Sequence, residues 1–193
     1  MKGSRPLLDE DIQTLKDYFK NKKPHKHDER DRTFILLGMY IGWRGSELLS
    51  IKIKDVWDGH RVTDYITCKK ANTKGKIAGK TAPIFKECKE MLENYIVNHC
   101  KNFTYLFQSV RGGPLSYRQM LRCLKTHFKD CELTGSLATH SLRKTFAHRM
   151  YKSLNGDLPA LQSALAHKSI NSTVSYVSVN HDKIVDSIKN LNY

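Results

Sequence analysis

No apolar run in this sequence is long enough to cross a bilayer. The longest, glycines included, extends from Phe34 to Trp43, far short of the roughly 20 residues a spanning helix needs. Met1 to Pro6 lead into an acidic amphipathic stretch with no apolar segment of the secretory kind, so neither a membrane span nor export is expected and the reading is cytoplasmic. Cysteine pairing is missing too. Cys68, Cys88, Cys100, Cys123 and Cys131 are an odd set without a C-x-x-C spacing, which argues against a disulfide framework and a thiolate zinc site and leaves reduced, chemically inert thiols. No metal-ligand cluster, internal repeat, low-complexity tract or flexible linker stands out, so the expectation is one domain over residues 1–193. Acidic residues are scarce: 19 against 33 Lys plus Arg give a formal charge of +14. Such an excess favours a polyanionic partner, nucleic acid or an anionic surface. The 39% hydrophobic residues spread along the chain are enough for a real core.

Helical periodicity dominates what is there. Leu8, Ile12, Leu15, Tyr18 and Phe19 recur at helical spacing, with Asp9, Glu10 and Asp11 where a helix N-terminus favours negative charge. The polar, basic stretch Asn21 to His27, broken by Pro24, reads as an exposed loop able to touch a phosphate backbone; its two histidines lack the company of further metal ligands. A core helix over Arg30 to Tyr40 is expected to stop at Gly42. Ser46 then sits near the cap of a short helix, and Ile51 and Ile53 alternate with lysines as an extended segment. Arg61 to Lys70 and Thr81 to Phe85 are β-rich and flank the basic, glycine-punctuated turn Asn72 to Lys80, which predicts a hairpin with a lysine-rich tip. Further helices are predicted around Cys88 to Ile96, Ser116 to Phe128, Ser141 to Leu154, Leu158 to Ala166, Val174 to Val177 and Asp182 to Leu191. The fold class is therefore mainly α with a small antiparallel β-sheet.

Three segments carry chemistry. His140 and Arg143, three apart at the start of a helix, lie on one face; alone, H-x-x-R reads as a solvated basic face. In Leu165-Ala166-His167-Lys168-Ser169 a helix of small and apolar residues stops at a histidine, and Tyr176 follows nine residues later. Nearly a hundred residues before His140 lies Gly42-Trp43-Arg44-Gly45-Ser46-Glu47-Leu48. With H-x-x-R, a second histidine of the L-G-H-x-S kind, a tyrosine nine beyond it, and G-x-R-x-S-E-L in the right order, the sequence resembles the tyrosine recombinase (phage integrase) family from about Leu7 to its end. Ala166 stands where the family has glycine, which alters how tightly the helix end turns but removes no functional group.

The resemblance implies the fold of a recombinase catalytic domain. It implies a site-specific recombinase that cleaves and rejoins duplex DNA through a 3′-phosphotyrosine, with Arg44, Lys74, His140, Arg143, His167 and Tyr176 as catalytic residues. Tyr176 would be the nucleophile, Arg44 and Arg143 the clamp on the nonbridging oxygens, His140 the acceptor of the phenol proton and His167 a further donor to the phosphate. A hairpin lysine would protonate the leaving 5′-oxygen. Lys74 to Pro83 match the family's K-x-x-x-x-R-x-V-P-L with a small insertion, which selects Lys74; Lys70, needing a longer hairpin, is the reserve. A free phenol is ionised only about one part in a thousand at pH 7, a handicap of roughly 4 kcal/mol, so nearby cations and a base are required. No cofactor and no metal are implied. The partner is double-stranded DNA, with a homo-tetramer on DNA, a monomer without it, no membrane, and the Asp182 to Leu191 helix packing either on a neighbouring subunit or within its own core. The family's N-terminal clamp domain is expected to be absent from this chain. Rival readings are a non-catalytic DNA-binding regulator of the same fold, a type IB topoisomerase and a metal-dependent nuclease.

Overall fold

Three carboxylates open the first helix, α1 (Asp9–Asn21), and one of them closes its end: Asp11 Oδ2 accepts the Leu8 N–H at 2.7 Å, satisfying a donor that the helix itself leaves open. The computed structural model describes residues 3–69 and 79–177. Its chain divides into two compact units, Met1–Phe146 and Ala147–Tyr193.

In the first unit, α2 (Asp28–Ile41) contributes Phe34, Ile35 and Leu37 to the core. It stops where glycine permits, at Gly42 in the left-handed region with φ +64°, whose N–H returns to the Gly38 carbonyl. The loop before α2 is basic as expected and folds back on Asp28, which accepts both the His25 N–H and the Lys22 ammonium at 2.7 Å. The short α3 (Gly45–Leu49) follows.

The residues after α3 depart from the expected extended run. Lys52 does bridge to Tyr105, but Ile53–Asp55 close a 3-10 turn. The Asp55 carboxylate accepts the Lys52 N–H at 3.0 Å, a local bond that competes with strand pairing. Strands β1 (Tyr65–Cys68) and β2 (Lys80–Pro83) pair antiparallel, with Tyr65 opposite Pro83 and Cys68 opposite Lys80. Along β1, Ile66 and Cys68 face inward while Tyr65 and Thr67 face out, the alternation of a one-sided sheet. The hairpin tip, with Lys70 and Lys74, lies outside the described residues.

Helices α4 (Lys86–His99) and α5 (Tyr117–Asp130) complete the packing with Leu92, Tyr95, Met120 and Leu124, around Leu106 and Phe107 from the connection between them. A polar network is buried where α2 and α5 meet. Asp31 accepts from Arg30 at 2.7 Å and sits 3.0 Å from His127 Nε2. Burial pushes the Asp31 carboxyl up, yet the His127 hydrogen bond and the Arg30 charge outweigh it and hold the group below the usual carboxylate range.

Helix α6 (Thr139–Ser153) begins in the first unit, where Leu142 lies against Gly38 of α2. In the second unit, Asp157 caps α7 (Leu158–Leu165) by accepting the Ala160 N–H at 2.9 Å, with Pro159 in the first turn. The last described helix, α8 (Ile170–Val174), starts earlier than the predicted 174–177 and leaves Tyr176 in the turn after it. The predicted helix from Asp182 to Leu191 lies outside the described residues. Among the described residues, no helix is long and apolar enough to cross a membrane.

Candidate active site

The first unit fixes its arginines by two different devices. Arg44 occupies the N-cap position of α3, where Ser46 was expected, because Glu47 three residues on reaches back to accept the Arg44 N–H at 2.9 Å. Glu47 Oε1 also meets Arg44 Nη1 at 3.2 Å. Arg143 is anchored one turn into α6: its Nη1 donates to the Gly42 carbonyl at 2.6 Å, two residues before Arg44. Its side chain is only 1% exposed. A desolvated guanidinium held on a backbone carbonyl is a fixed charge rather than an adaptive one.

Sequence reasoning passed over two members of this cluster. Glu47 is fully buried, and the Lys80 ammonium sits on both of its carboxylate oxygens at 2.8 and 2.9 Å. Burial pushes Glu47 up, but the Lys80 hydrogen bond and the Arg44 N–H outweigh it, so the group stays ionised below its usual range. Burial draws the Lys80 ammonium below the usual lysine range; Glu47 opposes this, and the nearby positive charges of Arg143 and Arg44 add to it. Two cations, Lys80 and Arg44, therefore share one carboxylate, with the Arg143 charge close enough to act on Lys80, and the surplus positive charge suits a phosphate oxygen. Lys80 is set apart by strand register: opposite inward-facing Cys68, it shares the inward face of the sheet.

His140 is exposed at the first turn of α6, directly after the buried Thr139, whose hydroxyl lies 2.6 Å from that of Tyr117. Lys74 and its reserve Lys70 fall outside the described residues. Among the described residues, no group of three or more His, Cys, Asp or Glu side chains is placed to hold a metal ion.

In the second unit, α7 ends on Ala166 with φ +49° and ψ +49°, and the His167 N–H reaches back to the Gln162 carbonyl at 3.0 Å. This is the closing bond of a Schellman turn, made here by an L residue in the position that glycine favours. The His167 carbonyl accepts from the Gln162 side chain at 3.0 Å, and its Nδ1 lies 3.1 Å from the hydroxyl of fully buried Thr173. With backbone and ring both held, His167 meets Tyr176 edge to face, the ring centroids 5.1 Å apart. The Tyr176 N–H returns to the Thr173 carbonyl, so one threonine orients both residues.

The chain as a whole is similar to known proteins. A sequence model described as "Phage integrase family" matches residues 6–183. The chain is 31% identical over 174 residues to the probable integrase/recombinase YoeC of Bacillus subtilis, covering 90% of this chain and 88% of that protein. It is 28% identical over 157 residues to the tyrosine recombinase XerD of Staphylococcus saprophyticus, covering 80% of this chain but 52% of that protein. Among solved structures, the XerH recombinase bound to palindromic difH in a post-cleavage complex superposes with a TM-score of 0.77 at 21% identity, over 98% of this chain and 54% of that one. The XerA recombinase gives 0.73 at 20% identity, over 97% and 64%. The chain thus spans about half the length of the XerD and XerH proteins and nearly all of the Bacillus one.

Proposed function

Because the chain belongs to the phage integrase family of tyrosine recombinases, we propose that it cleaves and rejoins duplex DNA site-specifically, with Tyr176 as nucleophile. The observation that carries this reading is the second unit's pair: His167 held on Thr173, with Tyr176 against the edge of its ring.

In the proposed cycle the Tyr176 phenol oxygen attacks the scissile phosphorus, and the bond from phosphorus to the 5′-oxygen breaks. A 3′-phosphotyrosine and a free 5′-hydroxyl result. His140 takes the phenol proton, and Lys74 returns one to the departing 5′-oxygen. Arg44 and Arg143 hold the nonbridging oxygens, and His167 donates to the same phosphate. A second 5′-hydroxyl reverses the step, so the bond energy is kept and water is not the acceptor. The partner is double-stranded DNA, bound through the chain's excess positive charge, and the working assembly is a homo-tetramer on two DNA sites. The active unit is the recombinase catalytic domain.

The test is a pool of nicked duplexes, randomised around the nick so that cleavage releases a short oligonucleotide and traps the adduct. The wild-type chain is expected to give a covalent protein–DNA band on a denaturing gel, and Tyr176→Phe none. Absence of a band with wild type, or an unchanged band with Tyr176→Phe, overturns the proposal; relaxation of supercoils without strand exchange would favour a topoisomerase.

A further inference from the structure

We propose that Lys80 is a positioning residue for Arg44: by occupying both oxygens of Glu47, it stops that buried carboxylate from capturing the arginine and leaves the guanidinium available to the phosphate. The inference rests on the reading of Arg44 as a phosphate clamp.

The geometry follows from strand register. Lys80 stands opposite Cys68, on the inward face of the two-stranded sheet, and its side chain reaches Glu47 of α3, 33 residues earlier in sequence. A fully buried carboxylate is tolerated only when paired and fully hydrogen-bonded. Here Lys80 supplies two of the contacts, at 2.8 and 2.9 Å, and the Arg44 N–H a third at 2.9 Å. The Arg44 side chain makes the longest contact, through Nη1 at 3.2 Å. An arginine facing an unshared carboxylate closes on it with two parallel hydrogen bonds. Lys80 prevents this, because both oxygens already carry its ammonium. The same pair ties the base of the lysine-bearing hairpin to the turn that carries Arg44, so the two are set together.

Lys80 also lies close enough to Arg143 and Arg44 for both charges to act on it, which raises the alternative that Lys80 itself donates the leaving-group proton. The two roles differ in what rescues their loss. A sulfur in place of the bridging 5′-oxygen leaves as a thiolate and needs no proton, so it restores a variant that lacks the proton donor and does nothing for a displaced arginine.

The experiment uses the full chain and the fastest-cleaved duplex from the randomised pool, made with bridging oxygen or bridging sulfur, in single-turnover cleavage. Lys80→Met is expected to slow cleavage about 100-fold on both substrates, the scale of a misplaced contact group, while Lys80→Arg, which still pairs with Glu47, stays within about tenfold of wild type. Since Lys80 acts through Glu47, the doubly substituted Lys80→Met, Glu47→Gln protein is expected to cleave at the rate of Glu47→Gln alone. This neutral pair buries no uncompensated charge and so serves if Lys80→Met alone does not fold. Restoration of Lys80→Met by sulfur, a wild-type rate for folded Lys80→Met, an arginine as damaging as methionine, or a double variant slower than Glu47→Gln would each overturn the assignment. Failure of the wild-type chain to cleave at all would instead count against the recombinase reading.

Discussion

Replacing Gly42 by alanine tests how the core sets the arginines. Gly42 ends α2 at φ +64°, and an added Cβ would lie 2.1 Å from Cδ1, 2.5 Å from Cγ and 2.8 Å from Cε1 of Phe146. Ordinary carbon contacts are about 3.5–4.0 Å, so the ring must move by more than an ångström. The left-handed conformation costs an alanine about 1–2 kcal/mol, and overpacking costs about 1–3 kcal/mol. The stiffer unfolded chain returns about 0.4–1 kcal/mol. The net expectation is a destabilisation of about 3 kcal/mol, roughly a hundredfold in the folding equilibrium. Urea denaturation followed by circular dichroism measures it. Gly113→Ala is the control, because a Cβ there meets nothing within 4 Å and the backbone needs no positive φ. In a Phe146→Ala background the Gly42→Ala penalty should fall to the backbone cost less the unfolded-state return, about 0.5–1 kcal/mol. An equal penalty in both backgrounds, or one below about 1 kcal/mol in the wild type, would refute the steric argument. The Gly42 carbonyl receives Arg143 Nη1, so the same substitution should also slow DNA cleavage in whatever fraction remains folded.

Three further outcomes are expected. Ala166→Gly removes an L residue from the left-handed cap before His167; relief of about 1–2 kcal/mol against a unfolded-state loss of about 0.4–1 kcal/mol predicts a net gain near 0.5–1 kcal/mol, and a fall in thermal midpoint would contradict it. Asp31 is held below the ordinary carboxylate value, so its contribution is complete above the unfolded value near about 4 and is lost as pH falls through the lower folded value. Asp31→Asn should therefore destabilise by about 3 kcal/mol at pH 7 and flatten the acid limb of stability against pH; an unchanged limb would argue against the sign. Along α5, Arg118, Arg122, Lys125 and Lys129 form an exposed basic stripe. If it faces the DNA backbone, Arg118→Ala and Arg122→Ala should each reduce the salt slope of DNA binding by about 0.9, whereas an unchanged slope would place the backbone elsewhere.

Local signals carried most of the fold. The apolar rows of α1, α2, α4 and α5 and the glycine stop at Gly42 are short-range features, and the structure follows them. The departures arise where a side chain reaches a nearby backbone group. Asp55 turns the expected strand after Ile51 into a 3-10 turn, and Glu47 makes Arg44 rather than Ser46 the cap of α3. The candidate site was legible where its members are linked by sequence spacing, as with His167 and Tyr176. Lys80 was not, because its meaning depends on a strand register and on a buried carboxylate far away in sequence. Nothing local separates it from the other hairpin lysines.

The residue that bonds to DNA decides the recombinase reading most directly. Trapped adduct from the nicked-duplex pool, digested with protease and nuclease and sequenced by mass spectrometry, should yield one modified peptide, with the residual nucleotide on Tyr176. The same nucleotide found on Tyr151 or on any serine, or a cleaved duplex with no protein-linked nucleotide, would contradict it.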